Sequence, residues 1–255
     1  MAVSSSFWLL LTRLGEAQIL FPLALVAAVW LWLKAGQAEL ARRWLICLSF
    51  TTALTTASKL AFIGWGWGWA SLDFTGISGH AMVSGATLPM LVWAALLGRG
   101  QVLQYRGVVC AFGLAALIAY SRLEVGAHST SEAVAGFALG ALASLMTLPP
   151  APQRPVAAPL WLPVGVLCML LLLPLNAPTS RSHDWVTQLS LQLSGRVLAF
   201  QRRDLHRPPS SQQQQQPAAA PQQQQQQPSS LFNDVSQQGP LPKPTAAARW
   251  HPAPR

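Results

Sequence analysis

Apolar residues in this chain come in long uninterrupted blocks, not at the three- or four-residue spacing of a helix that hides one face from water. Six blocks stand out, at about 17–33, 44–63, 81–97, 106–120, 132–148 and 159–175. Each is near the length a tilted helix needs to cross a hydrocarbon core of roughly 30 Å. The pattern predicts an all-α fold, a polytopic membrane helix bundle of about six transmembrane helices occupying residues 17–175. The first block, AQILFPLALVAAVWLWL, is long for the apolar core of a signal peptide and is expected to be a retained span. The apolar run SFWLLLTRL at 6–14 is too short to span, so the N-terminal segment 1–16 is expected to hold an interfacial helix. Trp30, Trp32, Trp44, Trp161 and the group Trp65, Trp67 and Trp69 fall near predicted span ends, where amphipathic rings prefer to sit.

Beyond the last block the pattern changes. The run HDWVTQLSLQLSGRVLAF, within 176–207, has the mixed character of a helix lying on a membrane surface. From 208 to 255 the Gln- and Pro-rich sequence cannot bury a core, and a disordered tail is expected.

Composition agrees with the blocks: 51% of the 255 residues are hydrophobic and 10% are charged. Of the net charge of +9, nine basic and five acidic residues precede Asn176, while eight basic and three acidic residues follow it. The basic residues of the tail are scattered and carry no recognisable reading motif, which argues against nucleic acid as a partner. Cys47, Cys110 and Cys168 lie inside apolar runs, with no C-x-x-C and no His at ligand spacing, so neither a disulfide framework nor a metal site is expected. The loops after spans 1, 3 and 5 hold Lys34, Arg42, Arg43, Arg99, Arg106 and Arg154, against Arg13, Lys59 and Arg122 on the other side. By the positive-inside rule the first group faces the cytoplasm. Both termini and the loops 64–80 and 121–131 are then outside, which in a bacterium means the periplasmic face of the inner membrane.

An ionisable group at the bilayer centre costs roughly 2.5–3.5 kcal/mol, so the few that occur in or beside the spans need a reason. They gather at one level. Lys59 comes near the end of span 2, Ser78-Gly79-His80 at the start of span 3, Ser121-Arg122 at the end of span 4, and His128 and Glu132 at the start of span 5. Spans that alternate in direction bring all four clusters to the same membrane face. Ser78 and Gly79 stand just ahead of a helix, where free N–H groups and the positive end of the dipole bind an anion. Arg122 offers a planar fork for phosphate oxygens and Lys59 a point charge. Two histidines then divide the remaining work, one attacking phosphorus and the other protonating the departing oxygen. Ser129 and Glu132 also have the spacing of a capping box, so Glu132 can close a helix N-terminus as well as serve a site.

These residues resemble the type 2 phosphatidic acid phosphatases (PAP2), whose membrane members dephosphorylate lipid phosphates and whose soluble relatives include vanadium haloperoxidases. Of the three family motifs, S-R-x5-H-x3-D is matched by SRLEVGAHSTSE, with Glu132 where the family has Asp, and P-S-G-H by SGH, with Ile77 in place of Pro. The first, K-x6-R-P, keeps only Lys59: Gly66 and Trp67 stand at the Arg-Pro positions. The loop GWGWGWASLDFTGISGH offers no basic substitute, only Asp73. Resemblance covers about residues 44–148. It implies that His128 is the nucleophile forming a phosphohistidine, that Glu132 holds its other ring nitrogen, and that His80 is the general acid. Lys59, Ser78, Gly79 and Arg122 would hold the phosphate, with no metal or other cofactor. The function implied is hydrolysis of a lipid phosphate or pyrophosphate monoester in the bilayer. The alternative is a non-catalytic membrane scaffold that binds a lipid phosphate and lost turnover with the first-motif Arg. A vanadate-dependent oxidase fits less well, because soluble enzymes of that kind need no spans.

Overall fold

The computed structural model describes residues 5–149, 158–159, 165, 168 and 182–206. The expected sixth span at 159–175 and the Gln/Pro-rich tail lie, apart from single positions, outside the described residues. Among the described residues seven helices follow one another: α1 Ser5–Arg13, α2 Ala17–Leu33, α3 Ala38–Trp65, α4 Gly79–Ala95, α5 Gln101–Glu124, α6 Thr130–Thr147 and α7 Ser182–Ser194, with one further helical turn at Arg202–Leu205. The described residues form no strand ladder, only an isolated antiparallel bridge between Trp69 and Phe74. The stretches Ser6–Leu33, Ala38–Trp65, Gln101–Glu124 and Thr130–Thr147 are each long and apolar enough to cross a membrane.

Helix α3 begins ahead of its apolar block because a polar first turn supports it: Arg42 Nη2 lies 2.7 Å from Glu39 Oε2, and Arg43 Nε 3.7 Å from Glu39 Oε1. It ends at Gly66, whose φ of 73° is left-handed and whose N–H bonds Phe62 O. The run SFWLLLTRL, expected at the interface, forms α1 and packs against α5, with the rings of Trp8 and Tyr120 edge to face at 5.5 Å.

Helix α4 is apolar all round, and its neighbours α2, α3, α5 and α6 enclose it, so nearly every residue from Ala81 to Ala95 is buried. Two polar bonds fix it in place. Pro89 has no N–H for the carbonyl of Gly85 one turn earlier, and Ser144 Oγ of α6 donates to that oxygen at 2.7 Å. Trp44 Nε1 of α3 donates to Ala86 O at 3.0 Å. Helix α6 lies against α4 through two glycines one turn apart. A Cβ on Gly136 would stand 2.5 Å from Ser78 O, and one on Gly140 2.1 Å from Met82 O. Small residues at this spacing let two backbones touch. That contact sets the N-terminus of α4 directly beside that of α6.

Candidate active site

The residues singled out from sequence come from four helices and meet at one end of the bundle. Lys59, Gly79, His80, Arg122 and His128 line one cavity of about 660 Å³, and Ser78 and Glu132 are fully buried next to it. The penultimate turn of α3 brings Lys59, the N-cap and first turn of α4 Ser78 to His80, the last turn of α5 Arg122, and the approach to α6 His128. Alternation of helix direction is the reason: each of these polar positions sits at a helix end on the same side.

The loop between α3 and α4 is pinned from both flanks. Ile77 N–H donates to Ser58 Oγ at 3.0 Å, Ser78 N–H to Glu132 O at 3.1 Å, and Thr75 N–H to Glu132 Oε1 at 2.7 Å. Gly76 (φ 142°) lets the loop pass against Lys59: a Cβ there would meet Lys59 Cγ at 3.1 Å. Lys59 Nζ in turn lies 3.7 Å from where a Gly79 Cβ would be. The ammonium is thereby held beside the open N–H groups that begin α4.

Glu132 occupies the third position of α6 and does two jobs. Its Oε2 accepts the N–H of Ser129, closing the helix N-terminus, and accepts from His128 Nδ1 at 2.7 Å. Its Oε1 takes the Thr75 N–H and the Thr75 hydroxyl, the latter at 2.5 Å. Because the carboxylate can only accept, the proton of His128 belongs on Nδ1, and the Nε2 lone pair is free. Burial pushes the His128 imidazole below its ordinary pKa, the bond to Glu132 opposes this, and the charges of Lys59 and Arg122 push further down. The ring is therefore neutral at neutral pH.

Arg122 is held from a place the sequence did not indicate. Its Nη1 donates to Thr12 Oγ1 of α1 at 2.7 Å, while its buried Nε has no partner. Ser78 Oγ is likewise buried and unpartnered. Both unpartnered polar groups stand beside the cavity that Lys59 and Arg122 line, a set of donors whose chemistry suits an anion. Apolar walls adjoin this polar end: Phe21 of α2, Phe62 and Ile63 of α3, Met82 and Val83 of α4 and Val186 of α7. Thr52, Thr55 and Thr56 continue the cavity along α3 from Lys59.

One cation was missed. Arg202, from the segment after α7, lines the same cavity and donates through Nη2 to Glu132 Oε2 at 2.7 Å. Its Nη1 donates to Asp73 Oδ2 at 2.6 Å and to Asp73 O at 2.7 Å. The loop of Asp73 has no basic residue of its own, as its sequence says, but it is met by one from far along the chain. Nothing in the local sequence around Arg202 points to this, since a basic residue in a polar segment requires no explanation.

Residues 49–154 match the family model described as PAP2 superfamily. A protein of Klebsiella pneumoniae, described as an uncharacterized 22.5 kDa protein in cps region, is 34% identical over 204 residues, which cover 78% of this chain and 98% of that protein. No solved structure matches.

Proposed function

Since the chain belongs to the PAP2 superfamily, we propose that this integral membrane protein hydrolyses a phosphate or pyrophosphate monoester of a membrane lipid through a phosphohistidine. The observation that carries the reading is the His128–Glu132 couple at 2.7 Å, facing a cavity lined by Lys59, Arg122 and His80. His128 Nε2 attacks phosphorus while Nδ1–H stays on Glu132. The P–O bond to the lipid breaks, and His80 protonates the departing oxygen; burial and then the charges of Arg122 and Lys59 push this imidazole's pKa down to about 3, so it carries the proton only with the anionic phosphate of the substrate beside it. His80, now neutral, takes a proton from water, whose oxygen attacks the phosphohistidine. The P–N bond then breaks and its electron pair returns to Nε2. Lys59, Arg122, Ser78 and the N–H groups at Gly79 hold the phosphoryl oxygens, supplying the fixed positive charge that a metal supplies elsewhere. The apolar walls beside the polar end accept the acyl or prenyl chain at headgroup depth.

Phosphate release from purified protein in detergent, measured on phosphatidate, phosphatidylglycerol phosphate and polyprenyl pyrophosphate with and without EDTA, tests this. Release from at least one, unchanged by EDTA, is the expected result. Retained lipid-phosphate binding with no release from any would favour the scaffold alternative, for which Gly66 and Trp67 at the Arg-Pro positions speak. Arg122→Ala is expected to weaken vanadate binding roughly 10- to 100-fold, the loss of a charge-assisted bond of about 1.5–3 kcal/mol. Titration calorimetry in detergent checks it, and unchanged affinity would remove Arg122 from the phosphate cradle.

The site faces the periplasm of a bacterial inner membrane in this reading, following the loop charges. A single Cys at the exposed position Ala127, in a chain whose three native cysteines are replaced, should react with an impermeant thiol reagent added to intact cells. Labelling only after the inner face is opened would reverse the orientation.

A further inference from the structure

The motif GWGWGW at 64–69 alternates the smallest side chain with the largest, and the two sets have different fates. Trp65, Trp67 and Trp69 are exposed. The glycines face a strap formed by α7 and the residues that follow it. A Cβ on Gly64 would meet Ser190 Oγ at 2.8 Å, one on Gly66 the Phe200 ring at 3.1 Å, and one on Gly68 Leu205 Cδ1 at 2.7 Å. The strap is also bonded to the end of α3, with Ser190 Oγ donating to Leu60 O and Phe200 N–H to Ile63 O, both at 3.0 Å. Gly66 is where the first-motif Arg would stand. A side chain there would begin against Phe200, and the same strap, two residues later, carries Arg202 to Glu132.

We propose that Arg202 is a positioning residue for phosphoryl transfer at His128, brought to Glu132 by a strap seated on Gly64, Gly66 and Gly68. The inference rests on the reading of His128 as nucleophile. Glu132 Oε2 receives His128 Nδ1–H, Ser129 N–H and Arg202 Nη2–H together, so the guanidinium fixes the carboxylate that fixes the ring. Asp73 anchors the guanidinium from its other side, with His206 Nε2 3.0 Å from Asp73 Oδ1. The hydrogen bond with His206 and then the bond from Arg202 hold the Asp73 carboxyl below its usual range, so the anchor keeps its charge. Both contacts of the strap are thus charge-assisted, and they join a segment outside the motif region to the reacting group.

The test uses the full chain in detergent and whichever lipid phosphate of the panel wild type turns over fastest. Arg202→Ala should lower kcat roughly 10- to 100-fold with little change in KM, because the bond lost is charge-assisted and made to the catalytic couple rather than to substrate. Arg202→Lys should recover part of the loss. The acid limb of the kcat profile should move to higher pH in Arg202→Ala: the groups facing His128 are Glu132, Lys59, Arg122, His80 and, through Glu132, Arg202, and removing a cation favours the imidazolium. Asp73→Asn should lower kcat by less, through a loosened Arg202, and Asn tolerates the left-handed backbone of position 73 (φ 48°). A lowered melting temperature with kcat and acid limb unmoved would make the strap structural only and overturn the proposal. So would an Arg202→Ala enzyme matching wild type. A wild type releasing no phosphate from any lipid overturns the site reading and this role together, and the first two results leave that reading intact.

Discussion

His128→Ala is expected to lower phosphate release by at least about 10³-fold and to abolish acid-labile, base-stable labelling of the protein by a radiolabelled phosphate donor. The reason is geometric. Glu132 directs the Nδ1 proton of His128 and leaves Nε2 as the unprotonated nitrogen at the cavity, so alanine removes the only atom placed to form the P–N bond in this mechanism. The proposed phosphate cradle of Lys59, Ser78, Gly79 and Arg122 is untouched by this change, and vanadate should still bind. His80→Ala should behave differently. An alkyl phosphate needs a proton on its leaving oxygen and should slow by roughly 10²–10⁴-fold, whereas p-nitrophenyl phosphate, with a stable phenolate to expel, should still phosphorylate His128. Undiminished labelling in His128→Ala would show that the nucleophile is elsewhere.

The second large effect concerns folding. Gly140→Val should prevent recovery of a monodisperse protein in mild detergent, because the new Cβ would stand 2.1 Å from Met82 O and 2.9 Å from Ala86 N. Those atoms are backbone of α4, enclosed by other helices, so no side-chain rotation relieves the clash. Overpacking ordinarily costs about 1–3 kcal/mol, and separating two helices that carry the site costs at least the upper end. The separation would also break the Ser144 Oγ bond to Gly85 O and draw Ser78 away from Glu132 O. Gly113→Val is the control: a Cβ there has open space around it. Size-exclusion profiles and melting curves of both variants check it, and a well-folded Gly140→Val protein would mean that α4 and α6 are further apart than described.

Much of this was determined by the sequence alone. Whether a segment enters a bilayer depends on its own composition, so the blocks at 17–33, 44–63, 106–120 and 132–148 locate long apolar helices without knowledge of what they touch. The pairing of His128 with Glu132 is equally local, since the residue just ahead of a helix N-cap lies within reach of the third helical position, and four positions of separation became a 2.7 Å bond. What tertiary structure decided lies at long sequence separation. The enclosure of α4 follows from backbone contact at Gly136 and Gly140, where the signal is the lack of a side chain. Thr12 meets Arg122 across 110 positions, and Arg202 meets Glu132 across 70. An ion pair of that kind leaves no periodicity, because its two halves sit in ordinary polar surroundings and only the folded path of the chain brings them within bonding distance.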